Sequence, residues 1–222
     1  KYDAATETTI DLPPQYTFTW QPVSEKPKFS FVPLILGSIG VAGISAILST
    51  LAGLGIGIYL SEIASERMRS IIKPAMELLV GIPTIVVGFF MLAVVAQPTF
   101  ELFQSLGMAK VYNDTYNMFI GALGVSVVII PVTASLVDDA LRAIPMELRA
   151  GSLSLGATRW QTTWRVVLPA AVSGVLAAVI LGFGRALGET MIVLMCAGNA
   201  PNITVNPFDA VRTMTATIAV EM

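Results

Sequence analysis

The sequence predicts an all-α membrane protein, a polytopic bundle of transmembrane helices, and three observations carry that expectation. Hydrophobic residues make up 55% of the 222 residues and charged residues only 13%, where a soluble domain carries about 25% charged residues. Mean hydropathy is +0.75. Four apolar runs reach the length of about 20 residues needed to cross a bilayer core. The net charge of -2 and the lack of a basic run argue against nucleic-acid binding. With no histidine, and one cysteine (Cys196) set in an apolar run, neither a zinc or copper site nor an internal disulfide is expected.

Residues 1–30 are polar, rich in proline and threonine, and lack the basic start and apolar centre of a signal peptide. They read as an extracytoplasmic loop. Lys1 is not an initiator methionine and nothing closes the chain after Glu221, so a fragment lacking sequence at both ends is expected. Trp20, followed by Pro22, suits either an interfacial anchor or packing against its own loop. The first span is expected from Phe31 to Leu60, with Gly53 and Gly57 at the small-xxx-small spacing that admits a close neighbour. The second runs from Pro74 to Ala96, the third from Asn117 to Val137, and the fourth from Pro169 to Met195.

Lysine and arginine counts orient these spans. Arg67, Arg69, Lys73, Arg142, Arg149, Arg159 and Arg165 lie on one side, Lys110 and Arg212 on the other. The polar segment 141–169 is therefore expected in the cytoplasm, and the region 97–116 and the tail from Asn199 outside. Within 141–169, Pro145 suits a first helical turn and Gly156 the left-handed residue past a helix end. Thr158 and Gln161 have the spacing of a capping box. On the second short helix Trp160, Trp164 and Val167 fall at i, i+4 and i+7, an apolar stripe with Arg159 and Arg165 away from it. Such a stripe suits a protein groove or a lipid surface.

Three charges interrupt the apolar surfaces. Arg185 and Glu189 lie one helical turn apart and face a bundle interior or an aqueous path, because a charge among lipids costs at least about 2.5 kcal/mol. They are either a self-neutralising packing pair or an anion site, with a guanidinium for phosphate oxygens and a glutamate that holds it when no anion is present. Counted at about 1.5 Å per residue from Pro169, Arg185 stands about 24 Å along its helix, which suits an outer gate. Glu77 is expected in a first helical turn after Pro74, where an acid is favoured, or at the mouth of the path. Gly81 and Pro83 should bend or loosen the second span.

The spacing of Gly156, Val166, Leu168 and Pro169 resembles the EAA loop of bacterial ABC-importer permeases. Ala150-Gly151-Ser152 stands where that family has Glu-Ala-Ala, so the usual acidic contact is absent or taken over by Glu147. The stretches 57–65, 77–88 and 184–199 and the Trp20-Gln21-Pro22 triplet resemble the phosphate-specific permease subunits of PstC type. The resemblance covers residues 18–222 and implies a type I ABC-importer permease with one further helix at each end. It divides the chain into an outer loop 1–30, a membrane domain 31–196 with its coupling loop at 138–168, and an extracytoplasmic segment 197–222.

The implied function is phosphate import across a bacterial or archaeal cytoplasmic membrane. The implied partners are a second phosphate permease, a dimeric ABC ATPase and an extracytoplasmic phosphate-binding protein. No Gly-x-x-x-x-Gly-Lys-Ser/Thr loop occurs, so ATP and magnesium belong to the ATPase and no cofactor is expected on this chain. Physics alone does not rank phosphate above sulfate, molybdate or phosphonate, and a secondary transporter would use the same membrane charges without an ATPase.

Overall fold

The structure, a computed structural model, describes residues 19–22, 28–107, 112 and 114–221. Most of the expected outer loop and Lys110 lie outside the described residues. Trp20–Gln21 (β1) pairs antiparallel with Lys28–Phe29 (β2). Eleven helices follow among the described residues. They are α1 (Val32–Ile58), α2 (Glu66–Val80), α3 (Thr84–Phe90), α4 (Ala96–Ser105), α5 (Met118–Arg142) and α6 (Met146–Ser154), then α7 (Arg159–Thr162), α8 (Leu168–Ala170), α9 (Val172–Gly188), α10 (Met191–Cys196) and α11 (Met214–Glu221). Five-residue π-helical turns extend three of them, at Tyr59–Ile63, Met91–Val95 and Thr163–Val167.

Among the described residues three continuous helices are long and apolar enough to cross a membrane: Val32–Ile63, Thr84–Ser105 and Met118–Arg142. Arg159–Ala170 and Val172–Gly188, bent by 69° from one another, pass the same test only as a pair. The expected second and fourth spans are both corrected. Pro74 lies inside α2, an exposed helix where water can replace the lost backbone bond, so the second span begins only after the break at Gly81–Pro83. It runs on through Gln97 and Glu101, which hydrogen-bond at 2.9 Å, so helix occupies the start of the expected outer region 97–116. Pro169 lies before the bend rather than at the start of α9. The 81–83 break and the start of the third span agree with the sequence, Asn117 capping α5 by accepting from the Ile120 N–H at 3.0 Å, but the helix continues five residues past Val137 to Arg142, into the start of the expected coupling loop.

Helix α5 is the centre of the bundle, packed by α1 and α9. Small residues set the approach of α1. A Cβ on Gly53 would stand 2.9 Å from Thr133 Cβ, and one on Gly57 2.5 Å from Val137 Cγ1, so the small-xxx-small stripe faces α5. Cys196 is buried, its thiol 3.5 Å from the Gly88 carbonyl. At the expected outer end Trp20 packs edge-on against Phe29 and donates to Glu221 Oε1 at 2.9 Å. It is 8% exposed, which favours packing against its own surroundings over an interfacial anchor.

Candidate functional site: the 141–169 segment and the membrane charges

Local chemistry builds a helix–turn–helix. Pro145 is the N-cap of α6, and Gly156 at φ +85° ends that helix, its N–H donating to Leu153 O at 3.0 Å. The capping box forms: Gln161 N–H donates to Thr158 Oγ1 (3.2 Å) and Thr158 N–H to Gln161 Oε1 (2.9 Å). Trp160 and Trp164 are 59% and 44% exposed, with ring centroids 5.5 Å apart in edge contact. Leu155 beside them is 89% exposed.

Val167 does not complete their stripe. The turn Thr163–Val167 is π-helical, so the phase departs from 3.6 residues per turn. Val167 points inward to a cluster of Ile58, Val137, Leu141, Ala171 and Ala178, against which Leu168 also packs. Val166 is half-buried and Pro169 exposed. Ala150 and Gly151 are exposed, and the Ser152 hydroxyl bonds that of Thr162 at 3.0 Å. Glu147 is exposed in the first turn of α6 and makes no ion pair among the described residues.

The acid at this site is Glu62, in the π turn that ends the first span. Arg149 Nη1 donates to its two oxygens at 2.6 and 2.8 Å, and Arg149 Nη2 donates to the Leu141 carbonyl at 2.7 Å. A second node lies one turn from the end of α5. Asp138, wholly buried, accepts from Arg69 at 2.7 Å and Arg142 at 3.2 Å, with Lys73 at 3.6 Å. The hydrogen bond to Asp138 raises the Arg69 pKa above its ordinary value. Neither acid was singled out by sequence reasoning. Their signals were present but slight: Asp138 directly follows an apolar run, and Glu62 sits in the 57–65 stretch that carried the family resemblance.

Arg185 and Glu189 are not a helical pair. Helix α9 ends at Gly188, Glu189 is extended (φ -68°, ψ 131°), and no ion pair joins them among the described residues. Arg185 is exposed in the last turn of α9, whose Ala178, Gly182 and Ala186 face inward. Glu189 is half-buried. Its Oε1 accepts from the Thr190 N–H at 3.2 Å, and its carbonyl accepts from Thr215 Oγ1 at 2.9 Å. With α9 starting at Val172, Arg185 is about 20 Å along it. Glu77 lies near the C-terminal end of α2, so the reading of a first-turn acid is corrected too. It borders a cavity of about 240 Å³ with Val80, Pro131 and Ser135. No hydrogen bond or ion pair brings it to Arg185 or Glu189 among the described residues.

Residues 53–219 match the family model of binding-protein-dependent transport system inner membrane components. The probable ABC transporter permease protein YqgH of Bacillus subtilis is 37% identical over 206 residues, covering 93% of this chain and 64% of that protein. The phosphate transport system permease protein PstC of Mesorhizobium japonicum is 33% identical over 215 residues, covering 91% of this chain and 65% of that protein. The chain thus spans about two thirds of the length of these relatives. In fold it is similar to an inward-facing MetNI methionine ABC transporter structure, with a TM-score of 0.59 and 21% identity over 71% of this chain and 70% of that one. The family match over residues 53–219 and relatives more than 30% identical along most of the sequence lead to one assignment: this chain belongs to the binding-protein-dependent transport system inner membrane components, the permeases of ABC importers.

Proposed function

We propose that this chain is the PstC-type permease subunit of an ATP-driven phosphate importer. The observation that carries the coupling half of this reading is the helix–turn–helix 146–167, which holds Trp160 and Trp164 as an exposed aromatic pair. Two rings locked by a capping box and a left-handed glycine are preorganised to enter a groove, which lowers the ordering cost of docking. The groove belongs to a dimeric ABC ATPase that carries ATP and magnesium; this chain binds no cofactor. Phosphate as the cargo is supported by PstC relatives at 30–33% identity.

In this reading a second permease completes the pathway, and an extracytoplasmic phosphate-binding protein delivers the anion at the cytoplasmic (inner) membrane. Arg185 is the anion-facing group of the pathway. Its guanidinium is exposed and in no ion pair among the described residues, and phosphate oxygens match its paired donors. ATP drives the cycle only if its binding changes the relative free energies of outward-open and inward-open states, which requires docking contacts that differ between them.

The test is uptake of labelled phosphate by the full transporter with sulfate, molybdate and phosphonate as competitors. Expected are ATP-dependent uptake resistant to the competitors and loss of at least about 90% of it in Arg185→Gln, the tenfold effect of about 1.4 kcal/mol of lost stabilisation. Competition by sulfate or molybdate reassigns the cargo. Unchanged uptake by a correctly assembled Arg185→Gln transporter removes Arg185 from the pathway.

A further inference from the structure

We propose that Glu62 and Arg149 form the link through which movement of the docking helices reaches the first span, an inference that rests on the ATPase-coupling reading. The backbone offers a different route, from α7 through α8 into α9. That route contains a 69° bend between Ala170 and Val172, so a push on the Trp160–Trp164 face meets a break before it reaches α9. The Arg149 guanidinium bypasses the break. One side chain on α6 holds both oxygens of Glu62, at the end of the first span, and the carbonyl of Leu141, near the end of α5.

Three observations set this pair apart from an ordinary surface ion pair. Both side chains are only 14% exposed, and one guanidinium spans two elements: Nη1 meets the two Glu62 oxygens while Nη2 donates to the Leu141 carbonyl, so its planar donors fix its direction. Glu62 also joins two π-helical turns. It lies in Tyr59–Ile63 and borders Thr163, the first residue of Thr163–Val167, whose hydroxyl donates to the Arg159 carbonyl at 3.0 Å and stands 3.5 Å from Glu62 Oε2. Such turns are where helices kink. Finally, a cavity of about 390 Å³ borders the pair and is lined by Ser61, Glu66, Arg142 and Arg159, which leaves room for α6 to shift against residues 61–66. The first span packs along α5 through Gly53 and Gly57, so displacement of its end is passed into the bundle core.

The experiment compares the full transporter in proteoliposomes with its Glu62→Gln and Arg149→Lys variants and with the exchange Glu62→Arg plus Arg149→Glu. The quantity read is inorganic phosphate moved per ATP hydrolysed, together with the amount of ATPase bound. Glu62→Gln is expected to keep the ATPase bound and lower the ratio about tenfold, within the range of coupling between sites. Arg149→Lys, which keeps the charge but loses the fork, should fall between, and the exchange should recover part of the ratio. A lower yield of assembled transporter with an unchanged ratio in Glu62→Gln means that the pair only holds the fold, and overturns the link. Trp160→Ala with Trp164→Ala separates the two ideas, since it should release the ATPase itself. If the unaltered transporter moves neither phosphate nor sulfate nor molybdate with ATP, the coupling reading falls and the link falls with it; if it moves one of the other anions, the same ratio is read with that anion.

Discussion

Asp138 shows most clearly how single residues hold this molecule together. A buried carboxylate costs several kcal/mol in lost hydration and persists only with close, well-aligned partners. Arg69, Lys73 and Arg142 supply them from two helices, which ties the amphipathic α2 to the end of α5. Its neighbour Asp139 pairs with Lys73 but is 56% exposed, so water screens that contact. Asp138→Asn should therefore destabilise the protein by about 2 kcal/mol, the range for hydrogen bonds to charged groups, whereas Asp139→Asn should cost less than about 0.5 kcal/mol. Thermal unfolding of the two variants in one detergent checks this. Equal falls would mean that burial of Asp138 does not govern its contribution.

At the level of elements, the α6–Gly156–α7 unit depends on one backbone conformation. Gly156 sits at φ +85° with nothing within 4 Å of where a Cβ would be, so a substitution there meets no steric clash and its whole cost is backbone strain. Gly156→Ala should weaken the unit by about 1–2 kcal/mol, and Gly156→Asn by less, because asparagine visits the left-handed region more readily. Amide hydrogen exchange across 151–162 reads the effect locally, and equal protection in both variants would show that tertiary contacts rather than the turn hold the helices. The opposite case is Gly57, where a Cβ would press on Val137 Cγ1. There the glycine serves close packing rather than conformation.

On the scale of the whole molecule, large apolar faces remain outside the bundle core. Phe89, Phe90 and Val94 on the second span and Ile180 and Leu181 on α9 are all more than half exposed, surfaces that need lipid or another helix beside them. Charge counting puts the 141–169 end in the cytoplasm and the 197–213 segment outside. Leu155 (89% exposed) and Val205 (fully exposed) mark these two ends, while Cys196 is buried. A membrane-impermeant maleimide applied to intact cells should label Val205→Cys, and label Leu155→Cys only after the membrane is opened. Labelling of Leu155→Cys in intact cells would reverse the orientation.

Composition alone was enough to place this chain in a membrane, because the free energy of transferring an apolar run to lipid is set by the run itself. The capping box at Thr158, the turn at Gly156 and the break at Gly81–Pro83 were equally legible, since each depends on groups within four residues. Tertiary packing settled the rest. Arg149 meets Glu62 across 87 residues and Arg69 meets Asp138 across 69, and such spacings hold no signal until the helices that carry them are neighbours. The same limit explains the corrected positions. The π turn shifts the phase that the even helical spacing of Trp160, Trp164 and Val167 assumes, and Val167 turns to the cluster of Ile58, Val137 and Leu141, residues remote in the chain.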